Sequence, residues 1–159
     1  MAGEKYEQRA VKEVRDYLAA NLPDALRDVE AAQSLTTGTL VDPVVYLQAL
    51  IERDNRYPGV QVWCERAPVE DYENNVWLCD VTVAIYFAGD ADVEAGSIRI
   101  RQCNTALTDL LRSSAGRTLG NQDGITAEVT EALSDSGHGP DSEVTHVGNV
   151  GVLVRIQED

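Results

Sequence analysis

Two histidines, three cysteines and a surplus of carboxylates are the groups in this chain that could do chemistry, and their spacing points away from it. His138 sits in a glycine-rich stretch and His146 opens a β-like run, with no HxH or HExxH around either. Metal sites need ligands at such telling spacings, so both histidines read as surface or strand-end residues. Cys64, Cys79 and Cys103 are odd in number, widely spaced and without a CxxC, which fits reduced thiols in a cytosolic product. Cys64 and Cys79 fall in candidate neighbouring strands, where a bridge is geometrically conceivable but disfavoured by that compartment. RTLGNQDG, residues 117–124, lacks both the GxGxxG spacing and the lysine of a phosphate-binding loop. Asp80, flanked by apolar residues, is the one carboxylate singled out by its surroundings. An ion pair with a residue such as Arg155 accounts for it more simply than a general base does. The expectation is therefore no enzyme, no cofactor and no metal.

Charge narrows the partners. The 159 residues carry 27 acidic and 13 basic side chains, a net charge of −14, whereas affinity for phosphate backbones comes from clustered Lys and Arg. Arg99 and Arg101 come nearest to a basic cluster, and such a pair is ordinarily a solvated helix face or the match of an acidic neighbour. With 43% apolar residues the chain reads as one domain over residues 1–159 with one core. No apolar run approaches the ~20 residues of a membrane span, and MAGEKYEQRA is unlike a signal peptide. The protein is expected to stay where it is made and to bind no membrane.

Whatever the protein does must be positioned by the elements its periodicities define, and the firmest of these is Val76–Ala88, VWLCDVTVAIYFA. Trp77, Cys79, Val81, Val83, Ile85 and Phe87 take every second position, the pattern of a strand with one buried face. Such a strand needs neighbours and a helical cover. Ala10, Val11, Val14, Leu18 and Leu22 predict an amphipathic helix from about Lys5 to Asn21, and Pro23 predicts a bend before a second short helix over Asp24–Gln33. SLTTGTL, residues 34–40, reads as an exposed loop. Asp42-Pro43 is a helix start, so Pro43–Arg53 reads as helix or helical turn, with a short strand over Val44–Tyr46 as the β-branched alternative.

After NRYPG, Val60, Val62 and Cys64 alternate in a strand expected to pair antiparallel with Val76–Ala88. APVEDYENN, residues 67–75, joins the two as a protruding acidic arm. Ile100, Cys103, Leu107, Leu110 and Leu111 mark one face of a long helix over Val93–Ser114, closed by a left-handed cap at Gly116. A strand over Ile125–Thr130, a mobile stretch over 134–143 and a last strand over Val144–Gln157 complete the chain. The sum is an α+β domain with a single mixed or antiparallel sheet of about four strands, helices mainly on one face, and flexible loops near 34–42, 67–75 and 134–143. Val76, Leu78, Ala84, Tyr86, Val147 and Leu153 would then face away from the helices, and a patch of that kind suits subunit contacts.

The order of elements resembles that of the tail terminator (tail completion) proteins of long-tailed bacteriophages. The likeness lies in RAVKEVRDYLAANLP, YPGVQVW, WLCDVTVAIYF, the helix with NTALTDLLRS, RTLG before a strand, and the closing GNVGVLVRIQ, and it spans about Arg9 to Gln157. It implies a virion protein of the tail or neck, assembled in the host cytoplasm as a homo-oligomeric, typically hexameric ring. The ring would sit on the tail tube protein, stop tube polymerisation and present a surface to the head connector or stopper protein. DNA would pass through the lumen without specific binding, which the acidity suits. Leu78, Tyr86 and Leu153 are the candidate subunit contacts. Glu70, Asp71, Tyr72, Glu73 and His138 are the candidate contacts with tube or connector. Another neck protein, such as a head-completion or stopper protein, and a cytosolic ligand-binding domain with a pocket between sheet and long helix are the competing readings. Charge reversal at Glu70, Asp71 and Glu73 is expected to weaken tail joining without unfolding the subunit, and infectious particles produced normally by that mutant would contradict it.

Overall fold

A computed structural model describes residues 2–48, 57–71, 73, 75–89, 93–138 and 144–157. Two long helices, α1 (Ala2–Ala32) and α2 (Val93–Arg112), lie against a sheet of six strands: β1 (Val45–Leu47), β2 (Gly59–Cys64), β3 (Val69–Asp71), β4 (Val76–Ala88), β5 (Ile125–His138) and β6 (Val144–Gln157). The sheet order is β1-β2-β4-β6-β5, with β3 on the same side of β4 as β2. β1 runs parallel to β2, and every other pair is antiparallel. The α+β class holds, but the strand number is six where about four were expected. The two additional strands, β1 and β3, are three residues each, too short for a period-two signal to register.

The alternation in β4 decides the rest. Cys79, Val81, Val83, Ile85 and Phe87 are buried on one face and share rows with Val60 and Val62 of β2 and with Val150, Val152 and Val154 of β6. Onto that face α1 sets Val14, Leu18, Leu22 and Leu26, and α2 sets Ile100, Cys103, Leu107 and Leu111, all essentially inaccessible. Trp77 extends the same face toward the helix start, where its ring stacks on Tyr6 with centroids 4.8 Å apart.

Pro23 does not break α1, contrary to expectation: one helix of 31 residues runs through it. A proline inside a helix costs ~3 kcal/mol, whereas each fully buried leucine contributes about 1.5–3 kcal/mol. Leu18 and Leu22 before Pro23 and Leu26 after it all reach the core, so one continuous stripe outweighs the lost hydrogen bond. The helix ends at Ser34, which takes the left-handed conformation (φ 56°) while Leu35 N–H donates to Glu30 O at 2.8 Å and Ser34 N–H to Ala31 O at 3.3 Å. That is a Schellman closure without glycine.

The segment after it is less exposed than SLTTGTL suggests. Leu40 is fully buried, and its backbone is clasped from α1: Leu40 N–H donates to Glu30 Oε2 at 2.8 Å, and the Arg27 guanidinium donates to Leu40 O. Arg27 also pairs with Glu30 at 2.6 Å and with Asp42 at 3.2 Å. The expected helix from Pro43 gives way to its strand alternative, because Val45–Leu47 pairs with Gly59–Gln61; residues 49–56 lie outside the described residues.

Three further expectations change. The 134–143 stretch is not irregular throughout: β5 continues to His138, paired with Val144 across a hairpin, so backbone pairing to β6 overrides a composition poor in strand formers; residues 139–143 lie outside the described residues. APVEDYENN does not protrude, because β3 turns back along β4 and extends the β2 edge. Gly116 is not a left-handed cap. It opens a short 3-10 turn, where an added Cβ would strike the backbone of Leu110 and Leu111, and the left-handed residues are Leu119, Gly120 and Asn121. The loop calculus around Glu30 is testable. Replacing Glu30 with Ala leaves the Leu40 amide without its acceptor and takes from Arg27 its buried carboxylate partner, and is expected to cost about 2–4 kcal/mol in urea unfolding, while Asp28→Ala on the exposed side of α1 changes stability by less than ~0.5 kcal/mol.

Candidate functional site

Both helices occupy one face of the sheet, and among the described residues no helix covers the other, although Val45, Gln61, Ala84 and Tyr86 at its β1–β2 end are buried, so Ala84 is not part of an exposed patch. Cross-strand rows place Leu78, Asp80, Thr82, Ala84 and Tyr86 of β4 on that outer face, beside Arg155, Leu153, Gly151, Asn149 and Val147 of β6. Val69 at 59% exposure and Leu133 at 59% are its most open apolar side chains. Leu78 and Leu153 are half-buried. Tyr86, expected to be a contact residue, is on the right face but only 7% exposed. Its ring lies over Gly59, where a Cβ would collide with it, and meets Tyr57 edge-on at 5.8 Å. It closes one end of the face, leaving Leu78 and Leu153 as the accessible part of the expected trio.

Polar groups on this face are matched in pairs. Asp80 takes Arg66, at 3.1 Å, where Arg155 was expected. Register explains the difference: Asp80 lies opposite Leu153, whereas Arg155 lies opposite Leu78 and Thr126 and lines the cleft along β5. Trp63 Nε1 and Thr82 Oγ1 both donate to Glu65 Oε1, at 3.1 and 2.9 Å. These exposed pairs orient side chains and add little stability.

The expected tube or connector residues do not converge. Glu70 and Asp71 belong to β3, beside Trp77 and Val76, and Glu73 N–H donates to Asp71 Oδ1 at 3.2 Å in the turn; Tyr72 lies outside the described residues. His138 ends β5 beside Val144 at the opposite end of the sheet. The thirteen residues of β4 separate the two ends, about 40 Å at ~3.3 Å per residue. The two sets can serve two different partners, not one.

His146 is not a surface residue. It is fully buried on the inner face against Phe87, with its imidazole where a side chain on Gly96 of α2 would stand. Asn104, also on α2, occupies the space over Gly148 and donates from Nδ2 to Leu133 O at 2.7 Å. These paired fits, a large polar side chain over a glycine, let α2 approach the β6 end closely. Spacing alone could not reveal them, since the partners are distant in sequence. Among the described residues, no three metal-ligating side chains cluster and no helix is long and apolar enough to cross a membrane.

The clefts differ in chemistry. A recess of about 270 Å³ between Phe87, Ala88, Arg99 and Cys103 lies where the long helix meets the sheet end, slightly below the ~300–1,000 Å³ usual for small-molecule sites. A larger one, about 600 Å³, follows the outer edge of β5 from Thr126 to Val129 and brings Arg112, Arg117 and Arg155 together. Glu128 is the one carboxylate in its lining. Sequence reading missed this trio, because it takes the packing of α2 and the 3-10 turn beside β5, together with the β5–β6 register, to bring residues 112, 117 and 155 to one place. A scan against protein-family models finds no match to the chain, and a search of curated proteins finds none either.

All three cysteines are free thiols. Burial pushes the Cys79 and Cys103 thiols up to about 12, and burial also raises the half-buried Cys64. A thiolate is the reactive form, so Cys79 and Cys103 are expected to resist a disulfide reagent in the native protein at pH 8 while Cys64 reacts slowly and all three react in denaturant. The folded state keeps thiol protons that the unfolded chain releases above its ordinary value of 9.0, so their contribution to stability is full below pH 9 and lost as pH rises toward about 12. Chemical unfolding measured across that range should show the decline.

Proposed function

We propose that this chain is a ring-forming structural subunit at the head-proximal end of the tail tube of a long-tailed phage, ending tube polymerisation and joining the tube to the head connector. One observation carries the reading. Both helices lie on the same face of the sheet, so among the described residues the part of the opposite face around Leu78, Leu153, Val69 and Leu133 is left uncovered and suits contact with other chains. In a closed ring two different surfaces of the subunit meet head to tail, and an open sheet with unlike edges suits that arrangement. The two ends of the sheet then belong to the two ring faces: the β3–β4 turn with Glu73 at one, and the β5–β6 tip with His138 at the other. One faces the tube and the other the connector. The net charge of −14 suits a lumen through which DNA slides, because like charge repels phosphate. The protein works as part of the virion, by shape, with no reaction of its own.

Purified chain added to polymerising tail tube protein tests this. Electron microscopy is expected to show shorter tubes, each ending in one extra ring, with the mean length falling as the chain is titrated in. Tubes that grow to the same length with unmodified ends would contradict the reading. So would a monomer that ignores the tube and binds a small ligand tightly enough to raise its melting temperature.

A further inference from the structure

Carboxylates outnumber Lys and Arg by 27 to 13 over the whole chain, and along one strand the balance is reversed. The cleft of about 600 Å³ beside β5 is lined by Arg112, Arg117 and Arg155, with Glu128 the one carboxylate among the described residues of its lining. β5 is the last strand of the sheet, and among the described residues it pairs with β6 alone. Its outer side therefore presents a row of backbone donors and acceptors ready to take another strand. The cleft follows Thr126, Ala127, Glu128 and Val129 in succession, so its open space lies where such a strand would lie. A bulge between Val129 and Glu131 interrupts the register beyond, which limits the regular edge to Ile125–Val129.

Guanidinium groups reach this edge from both faces of the sheet. Arg112 at the end of α2 and Arg117 in the following 3-10 turn stand on the helical side, while Arg155 stands on the outer face in the row of Thr126 and Leu78. Successive side chains of a strand point to opposite faces. A strand laid along Ile125–Val129 would thus turn alternate residues toward Arg112 and Arg117 and the others toward Arg155. Guanidinium forks hold carboxylates bidentately, and Leu111, Ala127 and Leu153 add apolar contact between them. The free edges of a second copy do not fit this groove. β5 against β5 would set one arginine cleft on another. β1 offers Val45, Tyr46 and Leu47, with no carboxylate. β3 carries Glu70 and Asp71, but β2 shares its side of β4 and β1 lies one strand further out, so a copy with β3 along β5 would drive its β1 into the far half of β5.

We propose that the edge of β5 at Ile125–Val129 receives an extended segment of a different protein as an added strand, one that carries Asp or Glu at alternate positions and seats them against Arg112 and Arg117. Main-chain hydrogen bonds hold the segment, and the arginines choose it. An antiparallel sense is the favoured one. With a net charge of −14 the chain repels an acidic segment over most of its surface, which directs it to this groove. The docking is separate from the ring contact, which is left to the outer face around Leu78 and Leu153, and it does not depend on that reading.

Short, end-blocked, fluorescently labelled peptides test this on the full chain, with anisotropy as the readout. A peptide alternating threonine and glutamate is expected to bind, and one alternating threonine and lysine is not. Proline in place of two threonines of the glutamate peptide removes main-chain donors and should weaken binding about tenfold or more. The double variant Arg112→Glu/Arg117→Glu should weaken binding of the glutamate peptide to the same extent and turn the preference to the lysine peptide. Its circular dichroism should be unchanged, because both side chains are exposed. A glutamate peptide that fails to bind wild type, or that binds the double variant equally well, would overturn the proposal. So would a proline peptide that binds as tightly, since charge attraction alone would then account for the binding. Displacement of the peptide by inorganic phosphate or a single-stranded oligonucleotide at equal concentration would replace it with a general anion site. Self-association of wild type that the double variant abolishes would give the edge to a second copy instead.

Discussion

Burial on a single face is the constraint from which the rest of this molecule follows. β4 alternates strictly, its inner residues meet those of β2 and β6 in continuous rows, and two helices are enough to cover them. The long α1 does so by running straight through Pro23, and α2 does so by taking His146 of β6 over its Gly96 and standing its Asn104 over Gly148 of β6. With both helices committed to one side, the outer face and the edges are the parts of the sheet left without a helical cover among the described residues. The chemistry of those surfaces is spread along rows and edges rather than gathered at a point.

That arrangement explains what was and was not legible in the residues. The long periodic elements were: β4 spans Val76–Ala88 as its alternation indicates, and α2 and β6 lie where their apolar spacing places them. Long-range partners were not. The strand β1 and the turn strand β3 are three residues long, and pairing to β2 and β4 defines them, not their own pattern. The last residues of β5, SDSGH, look irregular by composition and are strand only because β6 lies beside them. Leu40 looked exposed because its neighbours are polar, while Glu30, ten residues back, holds it in the core.

Site residues divide in the same way. Leu78 and Leu153 follow from alternation and are on the outer face, but Tyr86 on that face is covered by Tyr57 and Gly59, which no period reveals. Asp80 was recognised as a paired carboxylate, yet its partner is Arg66 because register sends Arg155 elsewhere. The same register sets Arg155 opposite Thr126, where Arg112 of α2 and Arg117 of the 3-10 turn join it in the cleft. Charge is thus arranged in a way visible only in three dimensions: broadly acidic, with a basic groove along the rim of β5.

Backbone hydrogen exchange at the outer edge of β5 tests most directly whether the sheet is left open for neighbouring chains. Amides of residues 126–130 that point away from β6 should exchange quickly in the dilute subunit and, on the function proposed above, slow at least tenfold once tail tube protein is added, as expected for backbone groups newly held in a sheet. The inner amides shared with β6 serve as the reference and should stay protected in both states. Equal exchange of the outer amides in the dilute and the capping states would contradict the account.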